Sequence, residues 1–269
     1  MTGAAGGGIG TAIARRLAAD GHAVVLNGLP SHRPALDALA AQLGVERTLV
    51  AAFDVGEPAG VRAAVERAVA ELGGVDVVVH NAAEAGPAVG AHELSDDTWR
   101  RELATVLDGA FYLARATAPG MIVRGWGRLV FIGSNVARRG TRGRNAGYVA
   151  AKAALHGLGR QLALELGPYG VTVNVVAPSQ TDTPRIRRDG RRTDASLAAY
   201  GSAVPRGRVG RPADVAELVA FLVGDSADYL TGTVIPVDGG SALAPVSSAV
   251  RGAASGPAAV PARENGGAG

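Results

Sequence analysis

Thr2-Gly3-Ala4-Ala5-Gly6-Gly7-Gly8-Ile9-Gly10 runs straight into Thr11-Ala12-Ile13-Ala14-Arg15-Arg16-Leu17. Ile9, Ile13 and Leu17 recur every four residues and Gly21 follows, so the spacing predicts an amphipathic helix opened by a glycine loop. Glycines there let the backbone approach a pyrophosphate, and the helix N-terminus supplies N–H donors and positive potential. The strict G-x-G-x-x-G spacing is not met. In a chain with 39 glycines, an ordinary turn is the competing reading. Such a loop should also follow a buried strand, and only Met1 precedes it. Without that strand its neighbours keep unmet backbone groups, at about 1–3 kcal/mol each. The expectation is a first central strand missing from the N-terminus, through an upstream start or a truncated gene.

Working outward, short apolar runs alternate with amphipathic ones. Strands are predicted at 23–27, 47–53, 75–80, 128–133, 171–177 and 233–237. Helices are predicted at 34–43, 57–72, from Asp96-Asp97 onward, at 146–166 and after Pro212. Continuous apolar strands alternating with helices imply an α/β fold, a doubly wound parallel sheet with helices on both faces. Ligands on such sheets sit beyond the carboxyl ends of the strands. From Ala244 to Gly269 the chain is Ala, Gly, Pro and Ser without periodicity. The division is therefore one domain over 1–243 and a disordered tail over 244–269.

Of 269 residues, 47% are hydrophobic and 19% charged, so the chain can bury a large core. Cysteine is absent, which excludes a disulfide scaffold, a Cys-zinc or iron–sulfur site and a thiol nucleophile. No run approaches the ~18 apolar residues of a membrane span, and no signal peptide opens the chain. A cytoplasmic protein is expected. The net charge is only +3. No basic stripe carries interleaved aromatics, so nucleic-acid binding is not expected. The five histidines show no metal-ligand spacing, and His80 reads as a core or cofactor-lining residue. Of the 27 basic residues 26 are Arg, and Lys152 is the single lysine.

That lysine stands four residues after Tyr148, in Tyr148-Val149-Ala150-Ala151-Lys152. Residues four apart share a helix face. A cation beside a phenol favours its ionised form, so Tyr148 is a candidate general acid–base for a carbonyl/alcohol pair. A surface Tyr and Lys at helical spacing is the bland alternative, and the uniqueness of Lys152 counts against it.

Together these residues resemble the short-chain dehydrogenase/reductase (SDR) family, in particular its 3-oxoacyl-(acyl carrier protein) reductase-like branch, over about residues 2–243. The loop with Gly3, Gly8, Ile9 and Gly10 is similar to the family's T-G-x-x-x-G-x-G, with one extra glycine. Asp54-Val55 looks like its adenine-contacting pair, and Asn81-Ala82-Ala83 like its Asn-Ala-Gly. Tyr148 and Lys152 match its catalytic pair. Asn174 to Pro178, with Thr181 and Thr183, looks like the segment that clasps the nicotinamide. Gly207-Arg208-Val209-Gly210-Arg211-Pro212 and Asp238-Gly239-Gly240 are similar to its C-terminal signature.

The resemblance implies a Rossmann-type NAD(P)-dependent oxidoreductase that moves a hydride between nicotinamide and a ketone or secondary alcohol. Tyr148 would protonate the oxygen, Lys152 would hold the ribose, a Ser would orient the carbonyl and a helix Asn would hold a relay water. The Ser is expected thirteen residues before the Tyr, where Asn135 stands beside Ser134. Either Ser134 serves on a longer loop, or the Asn135 amide replaces it. The relay Asn falls on Val106, which cannot bind that water.

At the end of predicted strand 23–27, which matches the family's second strand, Gly28 stands where an NAD-selecting acid would be, and His32 and Arg33 follow. NADP(H) is therefore favoured over NAD(H). Arg138, Arg139, Arg142 and Arg144, with Arg185, Arg187, Arg188, Arg191 and Arg192, should rim one mouth. They read as a solvated face or as a rim for an acyl carrier protein or coenzyme A. The family implies a homo-oligomer, tetramer or dimer. The alternatives are a dehydrogenase of a cyclic alcohol, sugar, steroid or polyketide, and a non-catalytic cofactor-binding homologue.

Overall fold

The computed structural model describes residues 1–188 and 192–243; the predicted tail and Arg191 lie outside the described residues, as does the Arg188 side chain. Among the described residues six strands alternate with helices. The strands are β1 (Val24–Gly28), β2 (Thr48–Ala52), β3 (Val77–His80), β4 (Gly127–Ile132), β5 (Val171–Pro178) and β6 (Val234–Val237). All pairings are parallel, in the orders β2–β1 and β3–β4–β5–β6. The predicted strands agree to within two residues at each end.

No first strand forms between the two sheets. Residues 1–4 occupy that place instead, so part of the neighbouring backbone that was expected to stay unmet finds partners there. The Met1 ammonium donates to the Val25 carbonyl at 2.9 Å. The Asn27 amide donates to Met1, the Thr2 amide to Val79 and the Ala4 amide to Asn27, all at 2.9–3.0 Å. Backbone groups at the carboxyl ends of β1 and β3 are thereby satisfied. On such sheets ligands lie beyond those ends.

The helices are α1 (Ile9–Ala19), α2 (Arg33–Leu43), α3 (Pro58–Leu72), α4 (Asp96–Leu103), α5 (Gly109–Arg124), α6 (Ala146–Leu166), α7 (Pro184–Arg188), α8 (Asp194–Ser202) and α9 (Pro212–Val223). A π turn, Ala104–Asp108, joins α4 to α5. The expected long helix is thus continuous but carries a local bulge. Ser95 caps it by accepting from the Thr98 amide.

Strand side chains alternate between two cores, as a pleat requires. Leu129, Phe131, Val173 and Val175 face α5 and α6, with Leu113, Leu155 and Leu162. Val130, Ile132 and Val176 face α1 and α9, with Ile13, Val215, Val219 and Leu222. Every residue of β4 and β5 is buried, as expected for a sheet covered on both faces. No helix among the described residues is long and apolar enough to cross a membrane.

Leu155 is fully buried three residues after Lys152, between α6 and the sheet. Leu155→Ala should lower unfolding stability by about 2–5 kcal/mol. Urea denaturation measures this, and a loss well under that range would mean that α6 is not seated on the sheet as described.

Candidate active site

The glycine loop is shaped by Thr11 and Asn81. The Gly7 amide donates to Thr11 Oγ1 at 2.9 Å, and Thr11 Oγ1 donates to the Ala4 carbonyl at 2.5 Å. Asn81 Nδ2 donates to the Thr2 and Gly3 carbonyls at 3.2 and 3.1 Å. A Cβ at Gly10 would run into the Gly3 carbonyl and Asn81 Nδ2, so only glycine fits. Gly8 precedes α1 and gives it no side-chain cap. The first-turn amides therefore keep their donors for an anion.

A second network lies beneath the loop. Thr2 Oγ1 accepts from the Asn81 and Ala82 amides, each at 3.0 Å. Its own proton then goes to His80 Nδ1 at 3.1 Å. His80 Nε2 must carry the ring proton, because its partner at 3.1 Å is the Val106 carbonyl. Burial, with a smaller contribution from Lys152, pushes the His80 pKa down to about 3, so the ring is neutral. Val106 itself is fully buried in the π turn.

Tyr148 and Lys152 lie one turn apart on α6, with Lys152 Nζ 5.9 Å from the Tyr148 ring centroid. Lys152 is 2% exposed, and Nζ donates to the Ile132 carbonyl at 2.5 Å. Burial, then the neighbouring Arg185 guanidinium, pushes its pKa down to about 7. Arg144 lies over the Tyr148 ring, 5.3 Å from its centroid. Ser134 follows β4, is half-buried, and accepts from the Val136 amide at 3.4 Å. The Asn135 side chain is buried and turned to the C-terminal segment. It donates to Asp238 Oδ2 and Ser241 Oγ, both at 3.3 Å.

The remaining residues singled out from sequence lie at or just beyond the carboxyl ends of strands in the two sheets. Gly28 ends β1, and a Cβ there would make ordinary contacts with Leu36, His32 and Ala5 at 3.4–3.6 Å. Asp54 is exposed and accepts from the Gly56 amide, while Val55 is buried beside Gly109. Pro178 ends β5. Thr181 is buried, with its hydroxyl on the Ser179 carbonyl. Thr183 packs 3.3 Å from where a Gly8 Cβ would lie.

Of the arginines, Arg144 and Arg185 reach the Tyr148–Lys152 centre, and Arg185 donates to the Ala83 carbonyl at 2.8 Å. Arg187 does not, because Asp182 and Asp194 bind it at 2.6 and 2.7 Å. Sequence reasoning missed Glu102 and Asn145, which meet between α4 and α6. Among the described residues no group of His, Asp or Glu is placed to hold a metal ion. The uncapped α1, the tight Gly3–Gly10–Asn81 cradle and the buried Lys152 fit a dinucleotide: phosphates at the loop, a ribose at Lys152.

The family described as enoyl-(acyl carrier protein) reductase matches residues 3–242. The 3-oxoacyl-[acyl-carrier-protein] reductase FabG of Escherichia coli (strain K12) is 37% identical over 242 residues, covering 89% of this chain and 95% of the relative. The cis-4-hydroxycyclohexanecarboxylate dehydrogenase of Sinomonas cyclohexanicum is 36% identical over 240 residues, covering 89% and 94%. The crystal structure of 3-oxoacyl-[acyl-carrier protein] reductase from Brucella melitensis ATCC 23457 superposes with a TM-score of 0.81 at 30% identity, covering 89% and 88%. The chain therefore belongs to the short-chain dehydrogenase/reductase family, as a nicotinamide-dependent oxidoreductase similar to the 3-oxoacyl-[acyl-carrier-protein] reductases.

Proposed function

We propose that the protein reduces a ketone to a secondary alcohol with NADP(H), on 3-oxoacyl substrates like those named for its relatives. The observation that carries this reading is the pairing of Tyr148 with a buried lysine on one face of α6, beside an uncapped glycine loop. The bound nicotinamide supplies the hydride.

This chain's residues then do the rest. Tyr148 gives its proton to the carbonyl oxygen. Lys152, held by the Ile132 carbonyl, keeps further N–H donors for a ribose and for the phenol side. Ser134 orients the carbonyl, because the Asn135 amide is already bound to Asp238. The apolar Val106 leaves the proton relay to another group. Gly3, Gly8, Ile9 and Gly10 hold the pyrophosphate, with Thr183 against it. Asp54, Val55, Asn81 and Ala82 border the adenine and ribose, and Pro178 and Thr181 shape the nicotinamide wall. Gly28 leaves room for a 2′-phosphate beside His32. Arg33 is paired with Asp37 at 2.8 Å and plays the lesser part.

The exposed Arg138, Arg139 and Arg142 are the rim for a carrier protein or coenzyme A. A second reading, oxidation of a cyclic alcohol bearing a carboxylate, draws on the Sinomonas relative and on Arg144 above Tyr148. The cytoplasm is the proposed compartment. A homo-oligomer, tetramer or dimer, is the proposed assembly. Exposed Trp99, Phe111 and Leu164 on α4, α5 and α6 support it.

Three measurements test this reading. Tyr148→Phe should lower turnover by about 10²–10⁴-fold with cofactor affinity kept; NADPH consumption across 3-oxoacyl thioesters and cyclic ketones decides, and a Phe variant that still turns over removes Tyr148 from proton transfer. Gly28→Asp, which the local space accommodates, should shift the ratio of kcat/KM from NADPH toward NADH by about tenfold or more. A wild-type preference for NADH would overturn the NADP(H) assignment.

The third concerns Lys152. Its folded pKa of about 7 lies below the unfolded value of about 10.4. Between them the unfolded chain holds a proton that the folded chain has released, so stability rises with pH through this window. The penalty for the buried ammonium is complete below pH 7. Relative to Lys152→Met, the unliganded protein should gain denaturation midpoint between pH 7 and 9, and parallel curves for the two would contradict burial of a depressed lysine.

A further inference from the structure

The Ser134–Tyr148 loop closes on a contact with no part in the chemistry above. Asn145 caps α6, its Oδ1 accepting from the Tyr148 amide at 2.9 Å. Its Nδ2 donates outward, to Glu102 Oε1 at 2.9 Å and to the Pro87 carbonyl at 3.1 Å. The same Glu102 oxygen accepts from the Gly86 amide at 2.8 Å. One carboxylate on α4, 0% exposed, thus ties the loop after β3 to the helix turn that carries Tyr148.

The surrounding glycines are cut to fit it. A Cβ at Gly147 would collide with Glu102 Oε2. A Cβ at Gly86 would lie 2.5 Å from Thr98 Cγ2 and 3.2 Å from Asn145 Nδ2. Packing alone does not call for an acid here. A buried carboxylate is costly unless paired, and among the described residues Glu102 makes no ion pair within 4.0 Å. Its second oxygen, Oε2, is buried without a partner. What a carboxylate offers over an apolar side chain is one oxygen that accepts two hydrogen bonds. It also places negative charge at the start of α6, which has no acid in its own first turn.

We propose that Glu102, acting through Asn145, is a positioning residue that holds the Tyr148 phenol and the Gly86–Pro87 loop in one geometry. The inference rests on the reading of Tyr148 as the proton donor. Asn145 sits three residues before Tyr148, so any shift of the cap carries the phenol with it. Lys152 and the glycine loop are anchored elsewhere, at Ile132 and Asn81. Loss of the Glu102–Asn145 contact therefore reaches kcat and spares cofactor affinity.

Steady-state kinetics of Glu102→Ala, Glu102→Gln and Asn145→Ala, with cofactor Kd from fluorescence titration, test this. Misplacing a reacting group by about 1 Å costs up to about 10²-fold, so each Ala variant should lose about tenfold or more in kcat at unchanged cofactor Kd. Glu102→Gln keeps an acceptor oxygen and should restore most of kcat. The double Ala variant should be no worse than the poorer single one, since both remove one contact.

A folded Glu102→Ala with wild-type kcat overturns the proposal. So does a Gln variant as poor as Ala, or a kcat loss matched by loss of cofactor affinity. If Glu102→Ala does not fold, Asn145→Asp decides. It keeps the Tyr148 cap but sets an acceptor against Glu102 Oε1, and an unchanged kcat overturns the proposal. Tyr148→Phe separates the two failures. Retained turnover there defeats the proton-donor reading and this inference with it. Full dependence on Tyr148 with an indifferent Glu102 defeats the inference alone.

Discussion

The Thr2 hydroxyl uses its whole hydrogen-bonding capacity inside the protein, and the site is assembled around it. Two accepted bonds, from the Asn81 and Ala82 amides, join the start of the glycine loop to the end of β3. The donated bond to His80 carries the connection to the π turn through the Val106 carbonyl. A single hydroxyl therefore ties three elements together, the glycine loop, the end of β3 and, through His80, the π turn. The network needs a neutral His80, since an imidazolium could not accept at Nδ1. Burial enforces that state. It also needs Gly109, where a Cβ would lie 3.2 Å from His80 Cε1 and 3.0 Å from Val55 Cγ2.

This arrangement explains which parts of the molecule were legible in the sequence. The alternation of β3, β4 and β5 with α5 and α6 is visible because buried parallel strands read as unbroken apolar runs such as Val171–Ala177. Tyr148 and Lys152 are visible because helical spacing is local and the lysine is unique. The bulge at Ala104–Asp108 left no mark, since Ala-Thr-Val-Leu-Asp holds no Gly or Pro to interrupt a helical reading. There His80, 26 residues before Val106, bonds the Val106 carbonyl, a partner that no local pattern announces. Helices α7 and α8 were also missed, being short and rich in arginine and small residues.

The choice between Ser134 and Asn135 shows the same limit. Counting back from Tyr148 selects Asn135, but counting presumes a loop of standard length. The Asn145-Ala146-Gly147 approach to the helix contains the Asn145 cap and the glycine that accommodates Glu102. Asn135 is drawn instead to Asp238, where it helps to hold the C-terminal turn. Glu102 gave no signal at all, because a single acid in Arg100-Arg101-Glu102 reads as one more surface charge.

The contrast between two buried basic side chains, Arg128 and Lys152, bears most directly on function. Arg128 is 1% exposed in β4, yet nearly every part of it is occupied. Asp228 lies at 2.9 Å, the Gly127 and Gly170 carbonyls at 2.9 and 3.2 Å, and the Trp126 ring beneath, with only Nε unpartnered. An arginine stays charged when buried, so it must be satisfied by the fold itself. Lys152 is equally buried, with the Ile132 carbonyl as its hydrogen-bond partner among the described residues and the Arg185 cation nearby. An ammonium has three donors, which leaves two for a ligand. Burial that lowers its pKa to about 7 lets it shed the charge when nothing is bound, an option arginine lacks. In a chain whose other 26 basic residues are arginine, the single lysine stands where the cation is incompletely satisfied, one helical turn from Tyr148.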